Sequence, residues 1–323
     1  MKVLITGAAG FIGMHTCIKF LNKGWDVIGL DNFNDYYDVS LKRDRCKEVI
    51  NAATRLGLTF TMFEADLNSK VWKELKTFDF EAVVHLAAQA GVRYSINNPR
   101  AYLESNILGF QSVLEFVAQT SQEKFLYASS SSVYGKNSSQ PFSERSACDS
   151  PESYYASTKR SNELMAKSYF HTEGVKSIGL RFFTVYGPWG RPDMAPMLFA
   201  RAGLSNQPIK VYNYGRQERD FTYVDDIVEG IYLLAAMKNF PNDSIVCNIG
   251  KGAPVSLMGF ISVLEKSIGR EFEKEFVSAQ KGDVESTFAD TTLLESMVNY
   301  KAKTGLDRGI PLFMDWFNKY YFA

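Results

Sequence analysis

A short apolar strand that ends in a glycine-spaced turn and opens directly into a helix leaves a chain few folds to choose from. KVLIT (2–6) is such a strand, and TGAAGFIG follows it from Thr6 to Gly13. Gly7, Gly10 and Gly13 stand three apart, with Phe11 and Ile12 between the last two. Glycine permits the tight turn and lets backbone approach a pyrophosphate, which then sits on the helix N-terminus. The spacing departs from the GxGxxG of classical dinucleotide folds. The next apolar run, DVIGL (26–30), leads into Asp31-Asn32. A carboxylate there accepts both ribose hydroxyls of an adenosine and repels a 2′-phosphate, so the expected cofactor is NAD rather than NADP.

The rest of the chain carries the pattern on. LTFTMF (58–63), AVVHLAA (82–88), KFLYASS (124–130), KSIGLRF (176–182) and SIVCNIG (244–250) read as further strands, with helical patterns between them. Within 99–118, Leu103, Ile107, Val113, Leu114 and Val117 share one helical face, and 153–172 reads as another helix. This alternation implies an α/β fold, a doubly wound, Rossmann-like parallel sheet. Beyond about residue 183 the pattern loosens. GPWGRPDMAP (187–196) is a loop, 209–214 a strand and 254–269 a helix. The expected division is a cofactor-binding domain of 1–182 and about 219–250, with a smaller substrate-binding lobe of about 183–218 and 251–323.

Composition narrows the function. Of 323 residues 46% are hydrophobic, enough for a large core, and 36 Lys+Arg balance 36 Asp+Glu. A neutral chain offers no basic field for nucleic acid or an anionic membrane, so neither is an expected partner. No apolar run is long enough to span a bilayer, and MKVLITGAAG enters a strand with no signal segment ahead of it, so a cytoplasmic protein is expected. Cys17, Cys46, Cys148 and Cys247, like His15, His85 and His171, lack metal-ligand spacing, so no metal site is expected.

The chemistry is concentrated in YYASTK. Tyr155 and Lys159 stand one helical turn apart on one face, and a nearby ammonium favours the phenolate needed for a general base. Tyr154 stands five positions from Lys159, which turns the two apart. Upstream, a strand ends in Ser129-Ser130-Ser131-Ser132, whose hydroxyls can reach the reacting oxygen.

The glycine spacing, the downstream Asp and YxxxK together resemble the extended short-chain dehydrogenases/reductases, the NAD-dependent epimerase/dehydratase family. From that resemblance Ser130, by register against the following VYG, completes a Ser–Tyr–Lys trio. Asp66-Leu67 resemble the family's adenine contact, Leu86-Ala87-Ala88 its cofactor-lining turn, and Asn106 its asparagine near the nicotinamide ribose. Sugar-nucleotide dehydratases carry Asp-Glu before VYG, and UDP-glucuronate decarboxylases a Glu. Ser131 and Ser132 stand there instead, suited to hydrogen-bonding a ligand carboxylate. HLAAQAGVRYS (85–95), RPDMA (191–195), VYNYG (211–215) and RDFTYVDD (219–226) resemble UDP-glucuronate 4-epimerases, and the resemblance runs from Thr6 to Asp290.

The resemblance implies a UDP-sugar substrate and a homodimer formed through 99–118 and 153–172. It gives Arg191, with Ser131 and Ser132, the sugar carboxylate. Arg219 takes the diphosphate, Thr184 lies nearby, and Arg93 is a further candidate. In the late Gln280-Lys281-Gly282-Asp283 loop, Lys281 replaces the usual proline. The implied reaction oxidises carbon 4 with Tyr155 as base, then reduces the ketone from the opposite face. A 4-epimerase of UDP-glucose or UDP-N-acetylglucosamine, a decarboxylase, and a non-catalytic NAD-binding interaction protein remain alternatives.

Overall fold

Buried apolar runs and amphipathic helices assemble, in a computed structural model of the protein, into a seven-stranded parallel sheet covered on both faces. The structure describes residues 1–136, 139–279 and 284–322. The strands are β1 (Lys2–Thr6), β2 (Asp26–Asp31), β3 (Phe60–Glu64), β4 (Ala82–His85), β5 (Phe125–Ser130), β6 (Ser177–Phe182) and β7 (Ser244–Ile249). Their order across the sheet is β7-β6-β5-β4-β1-β2-β3. The chain therefore winds outward from β1 to β3, crosses back to β4, and winds to the other edge. That reversal opens a crevice beyond the carboxyl ends of β1 and β4, where such sheets bind ligands. In β1, Val3, Leu4 and Ile5 are wholly buried, as a central strand covered on both faces requires.

On one face α1 (Phe11–Asn22), α2 (Val39–Leu56) and α6 (Val224–Ala236) contribute Phe20, Val49 and Ile231 to the core. On the other, α3 (Gly109–Gln119) and α4 (Tyr154–Glu173) contribute Val113, Val117 and Ala166. The sequence closes α4 at both ends. The Ser153 hydroxyl accepts from the Ala156 N–H (3.1 Å), and Gly174 takes the left-handed conformation (φ 72°) that ends the helix. The smaller lobe is built on α5 (Ala195–Leu204), α7 (Leu257–Ile268) and α8 (Leu306–Phe322). Phe199, Phe260 and Phe313 there share an apolar core with Phe221 and Tyr223, which lie within the 219–250 stretch expected in the cofactor-binding domain. No described helix is long and apolar enough to cross a membrane.

The helix expected over 254–269 begins only at Leu257, after the short strand Val255–Ser256, and four other elements differ from the sequence reading, each for a local reason. The strand expected over 82–88 stops at His85, because the Ala87 N–H turns away to the Thr6 hydroxyl (3.2 Å). The strand expected from Leu58 starts at Phe60, since the Asp26 carboxylate takes the Thr59 N–H (2.8 Å). The expected 209–214 strand ends at Val211 in a turn where Asn213 and Tyr214 have positive φ. The helix over 99–118 carries a π-turn at Leu103–Leu108. A π-turn rotates the buried face, so Tyr102, Asn106 and Phe110 point inward while Leu103 is left 42% exposed.

Candidate active site

A cleft of about 880 Å³ runs along the carboxyl edge of the sheet, from the glycine turn past Tyr155 to Arg219 and Thr287. Its floor at one end is backbone. Gly7 has φ 71°, and a Cβ there would lie 2.6 Å from the Ala87 nitrogen. A Cβ on Gly13 would lie 1.9 Å from the Gly7 carbonyl oxygen. No side chain fits either place, so the turn after β1 packs directly on the Leu86-Ala87-Ala88 turn and on α1. Gly10 caps α1 without a side chain, so the first-turn N–H groups have no side-chain cap where Gly10, Phe11, Ile12 and Gly13 line the cleft.

Asp31 closes that end. Its carboxylate accepts from the N–H of Ala9 (3.1 Å) and of Phe33 (2.9 Å), one to each oxygen. Burial pushes its carboxyl upward, against those two hydrogen bonds and the charges of Lys42 and Arg45. Each oxygen keeps acceptor capacity for a ligand hydroxyl. Beside it, Asn32 donates to Asp66 (2.9 Å), and Asp66 also takes the Asn68 N–H (2.9 Å). Asn32, Asp66, Leu67 and Leu86–Ala88 all line the cleft.

Asn106 behaves differently. Its amide donates to the Gln89 carbonyl (3.0 Å) and the Thr158 hydroxyl (3.0 Å), and accepts from the Gln89 N–H (2.8 Å). Both donors are spent inside the protein. Asn106 therefore fastens the π-turn to α4 and to the segment after β4, and the resemblance puts such an asparagine near the nicotinamide ribose. Asn162 completes the junction by donating to the Asn106 carbonyl (2.6 Å).

The serine run divides its labour. Ser129 donates to buried Glu163 (2.6 Å), which also holds Arg181 through two nitrogens (2.8 and 2.9 Å). Ser130 instead faces the cleft, donates to the Ser132 hydroxyl (3.2 Å), and favours the phenolate of Tyr155. Ser131 and Ser132 line the same wall. Tyr154 is 41% exposed and does not line the cleft, so of the adjacent pair it is Tyr155 that does.

The electrostatics depart from expectation in one respect. Burial pushes the Tyr155 phenol upward, and the groups that oppose this are the Ser130 hydroxyl and the Arg191 charge. Lys159 turns its ammonium to the Ala128 carbonyl at the end of β5 (2.8 Å), and burial brings its pKa down to about 7. Ser130 and Arg191 thus oppose the effect of burial on Tyr155, and Lys159 lines the same cleft. His85, behind this group, is held down to about 3 by burial and by Lys159. It is neutral, and its Nδ1 meets the Thr6 hydroxyl at 2.7 Å.

The opposite wall comes from the Gly-Pro loop. Arg191 forks onto Asp193 through Nε (3.1 Å) and Nη2 (2.5 Å), and Tyr36 donates to the same carboxylate (3.0 Å). Further along, Thr184 opens a short strand, Thr184–Tyr186, paired with Phe221–Tyr223. Arg219 donates to the carbonyls of Glu218 (2.8 Å) and Glu285 (3.1 Å), and Arg93 lies 5.0 Å over the Tyr212 ring. Thr184, Arg191, Arg219 and Arg93 all line the cleft. Gln280–Asp283 lie outside the described residues.

Sequence reasoning missed Asp193, Glu163 and Asp220. The first stands in RPDMA itself, and the second lies one turn after Lys159. Asp220, in RDFTYVDD, accepts from the N–H groups of Lys251 (2.9 Å), Gly252 (2.8 Å) and Ala289 (3.2 Å) and from the Thr222 hydroxyl (2.8 Å). That one buried carboxylate joins three segments beneath Arg219.

Residues 3–250 match the model of the NAD dependent epimerase/dehydratase family. The chain belongs to that family. It is 46% identical to Protein CapI of Staphylococcus aureus over 99% of both chains. It is 39% identical to a probable UDP-glucuronate 4-epimerase of Rhizobium meliloti, over 99% of this chain and 98% of that one. The crystal structure of UDP-glucuronic acid 4-epimerase from Bacillus cereus, in complex with UDP-glucuronic acid and NAD, superposes with a TM-score of 0.89 at 34% identity. That match covers 99% of this chain and 100% of the other.

Proposed function

We propose that this family member is an NAD-dependent isomerase that interconverts UDP-glucuronate and UDP-galacturonate by inverting carbon 4 of the sugar. One observation carries the reading. Tyr155, Ser130 and Arg191 converge in one cleft whose wall bears hydroxyls, at Ser131 and Ser132, where elimination or decarboxylation would call for a carboxylate. The similarity to UDP-glucuronate 4-epimerases over nearly the full chain supports it.

The residues present fit NAD. The Gly7–Gly13 cradle leaves no room for side chains, its helix N-terminus suits a pyrophosphate, and Asp31 keeps acceptor capacity for two ribose hydroxyls. NAD held there would supply reversible hydride transfer at carbon 4, with no net redox change over the cycle. Tyr155 holds the proton of the sugar's oxygen 4 while carbon 4 is a ketone, and gives it back at the end. Ser130 hydrogen-bonds the same oxygen and the Tyr155 phenolate. Ser131, Ser132 and Arg191 hold the carboxylate, while Arg219, with Thr184 and Arg93 along the same wall, faces the diphosphate. Inversion requires the nucleotide to be held firmly and the sugar loosely enough to present both faces.

Incubation of the purified protein with UDP-glucuronate, resolved by NMR, is expected to give UDP-galacturonate with no growth of reduced-nicotinamide absorbance. Reduced cofactor accumulating in step with product would exclude the epimerase reading. Asp31→Ala is expected to weaken NAD binding about 100-fold or more, through two lost charge-assisted hydrogen bonds, and to narrow the preference over NADP. Calorimetric titration of both cofactors checks it, and unchanged affinities would remove Asp31 from the ribose.

The assembly proposed is a homodimer through α3 and α4 with the π-turn before them. Leu108 and Leu164 on these elements are 51% and 57% exposed, more than apolar side chains of a buried face would be. Sedimentation as a monomer at micromolar concentration would contradict it.

A further inference from the structure

We infer that Arg45 is a positioning residue that ties the cofactor turn to the loop presenting Arg191, so that the sugar-binding arginine is set from the cofactor side of the cleft. Arg45 lies on α2, outside every motif that points to chemistry, and is fully buried. Its guanidinium has five N–H groups and all five are used. Nε and Nη2 donate to the Trp189 carbonyl (3.1 and 2.7 Å), and Nη2 also to the Gly190 carbonyl (3.2 Å). Nη1 donates to the Ala9 carbonyl (3.3 Å) and the Tyr37 hydroxyl (2.6 Å).

Those acceptors belong to two sites. Ala9 lies in the glycine turn, and its N–H is the one held by Asp31, so the Ala9 peptide is fixed at one end by Asp31 and at the other by Arg45. Trp189 and Gly190 immediately precede Arg191. That loop is not a conformation the chain adopts unaided. Trp189 has φ 62°, a region that disfavours a bulky side chain, and Gly187 has φ 147°. Arg45 holds the loop's backbone while Trp316 and Tyr320 of α8 flank the Trp189 ring, at 5.3 and 5.0 Å between centroids.

A stabilising role alone explains this poorly. A buried cation is costly unless paired, and Arg45 forms no ion pair with an acid among the described residues. Its partners are backbone carbonyls and a phenol, and the structure they share is the join between the two halves of the cleft. The inference rests on the proposed reading of Arg191 as a sugar-binding residue.

The test is a mutant cycle on the NAD-loaded enzyme, with Arg45→Lys, Arg191→Ala and the double variant, and Arg45→Met as a second substitution. Arg45→Lys is expected to lower kcat/KM for UDP-glucuronate about 30-fold or more and to leave the Kd of UDP, which lacks the sugar, within about threefold. Adding Arg45→Lys to Arg191→Ala is expected to cost little more, because the first acts through the second. Multiplying effects, or an equal loss of UDP affinity, would overturn the inference. Hydrogen exchange supplies a readout independent of turnover. Amides of 187–193 are expected to exchange faster in Arg45→Lys while β1 and β4 stay protected. Unchanged exchange in 187–193 would also overturn it. If wild type fails to turn over UDP-glucuronate, the functional reading falls, and the exchange result still decides the role of Arg45.

Discussion

Tyr155→Phe is expected to lower kcat by about 10³-fold, or roughly 4 kcal/mol of transition-state stabilisation, with little change in UDP-sugar affinity. The substitution deletes one hydroxyl and keeps the ring, which packs edge-on to Tyr102 at 6.0 Å between centroids. The lost hydroxyl is the one whose ionised form Ser130 and the Arg191 charge favour against burial. Deprotonating oxygen 4 without it leaves only water or Ser130 as acceptor, and a serine hydroxyl is far too weak a base. Ser130→Ala is the informative companion. Burial alone drives the Tyr155 phenol upward, so removing one of the two groups that oppose burial shifts the alkaline rise of the pH–rate profile to higher pH. Near-normal turnover in Tyr155→Phe would take the proton transfer away from Tyr155.

What the sequence shows plainly is what local rules determine. The glycine turn, Asp31 and the Tyr155–Lys159 pair each depend on spacing within one element, and all line one cleft. The parallel sheet follows from strand–helix alternation. What the sequence hides depends on contacts made across the fold. Four serines in a row are equivalent until Glu163, on a different element, claims Ser129 and leaves Ser130 to face Tyr155. Asn106 sits in a plausible motif, but the π-turn inserted at 103–108 turns its amide inward to Gln89 and Thr158. No periodicity announces that extra residue, because helical patterns with and without it share most of their apolar positions. Lys159 has the right spacing to act on Tyr155, and only the fold shows that its ammonium also donates to the Ala128 carbonyl. Arg45 lies outside every motif, and Asp220 lies inside one, RDFTYVDD, that does not say what its carboxylate does. Their role is visible only once the segments that they join are brought together.

Arg191→Ala is expected to lower the preference for UDP-glucuronate over UDP-glucose, measured as the ratio of kcat/KM values, by about 10²-fold. A carboxylate taken from water into the cleft must be matched by charge or by strong hydrogen bonds. Ser131 and Ser132 offer neutral hydroxyls, and a charge-assisted bond to a guanidinium adds about 1.5–3 kcal/mol. The structure raises the stakes further. Arg191 is already forked onto Asp193, so its removal exposes a carboxylate to the incoming carboxylate. Two like charges in a partly buried site disfavour binding, and UDP-glucose, with a hydroxymethyl there, is spared. Arg191 also acts on Tyr155, so turnover of both substrates is expected to fall, and the ratio cancels that shared loss. The double variant Arg191→Ala/Asp193→Asn separates the two contributions. It is expected to recover part of the lost preference, because the repulsion goes while the missing guanidinium does not return. The 4-keto intermediate is a β-keto acid that sheds carbon dioxide when its carboxylate turns out of the ketone plane, so a pentose by-product is expected to grow in Arg191→Ala. A specificity ratio that does not move would mean that Arg191 does not read the carboxylate.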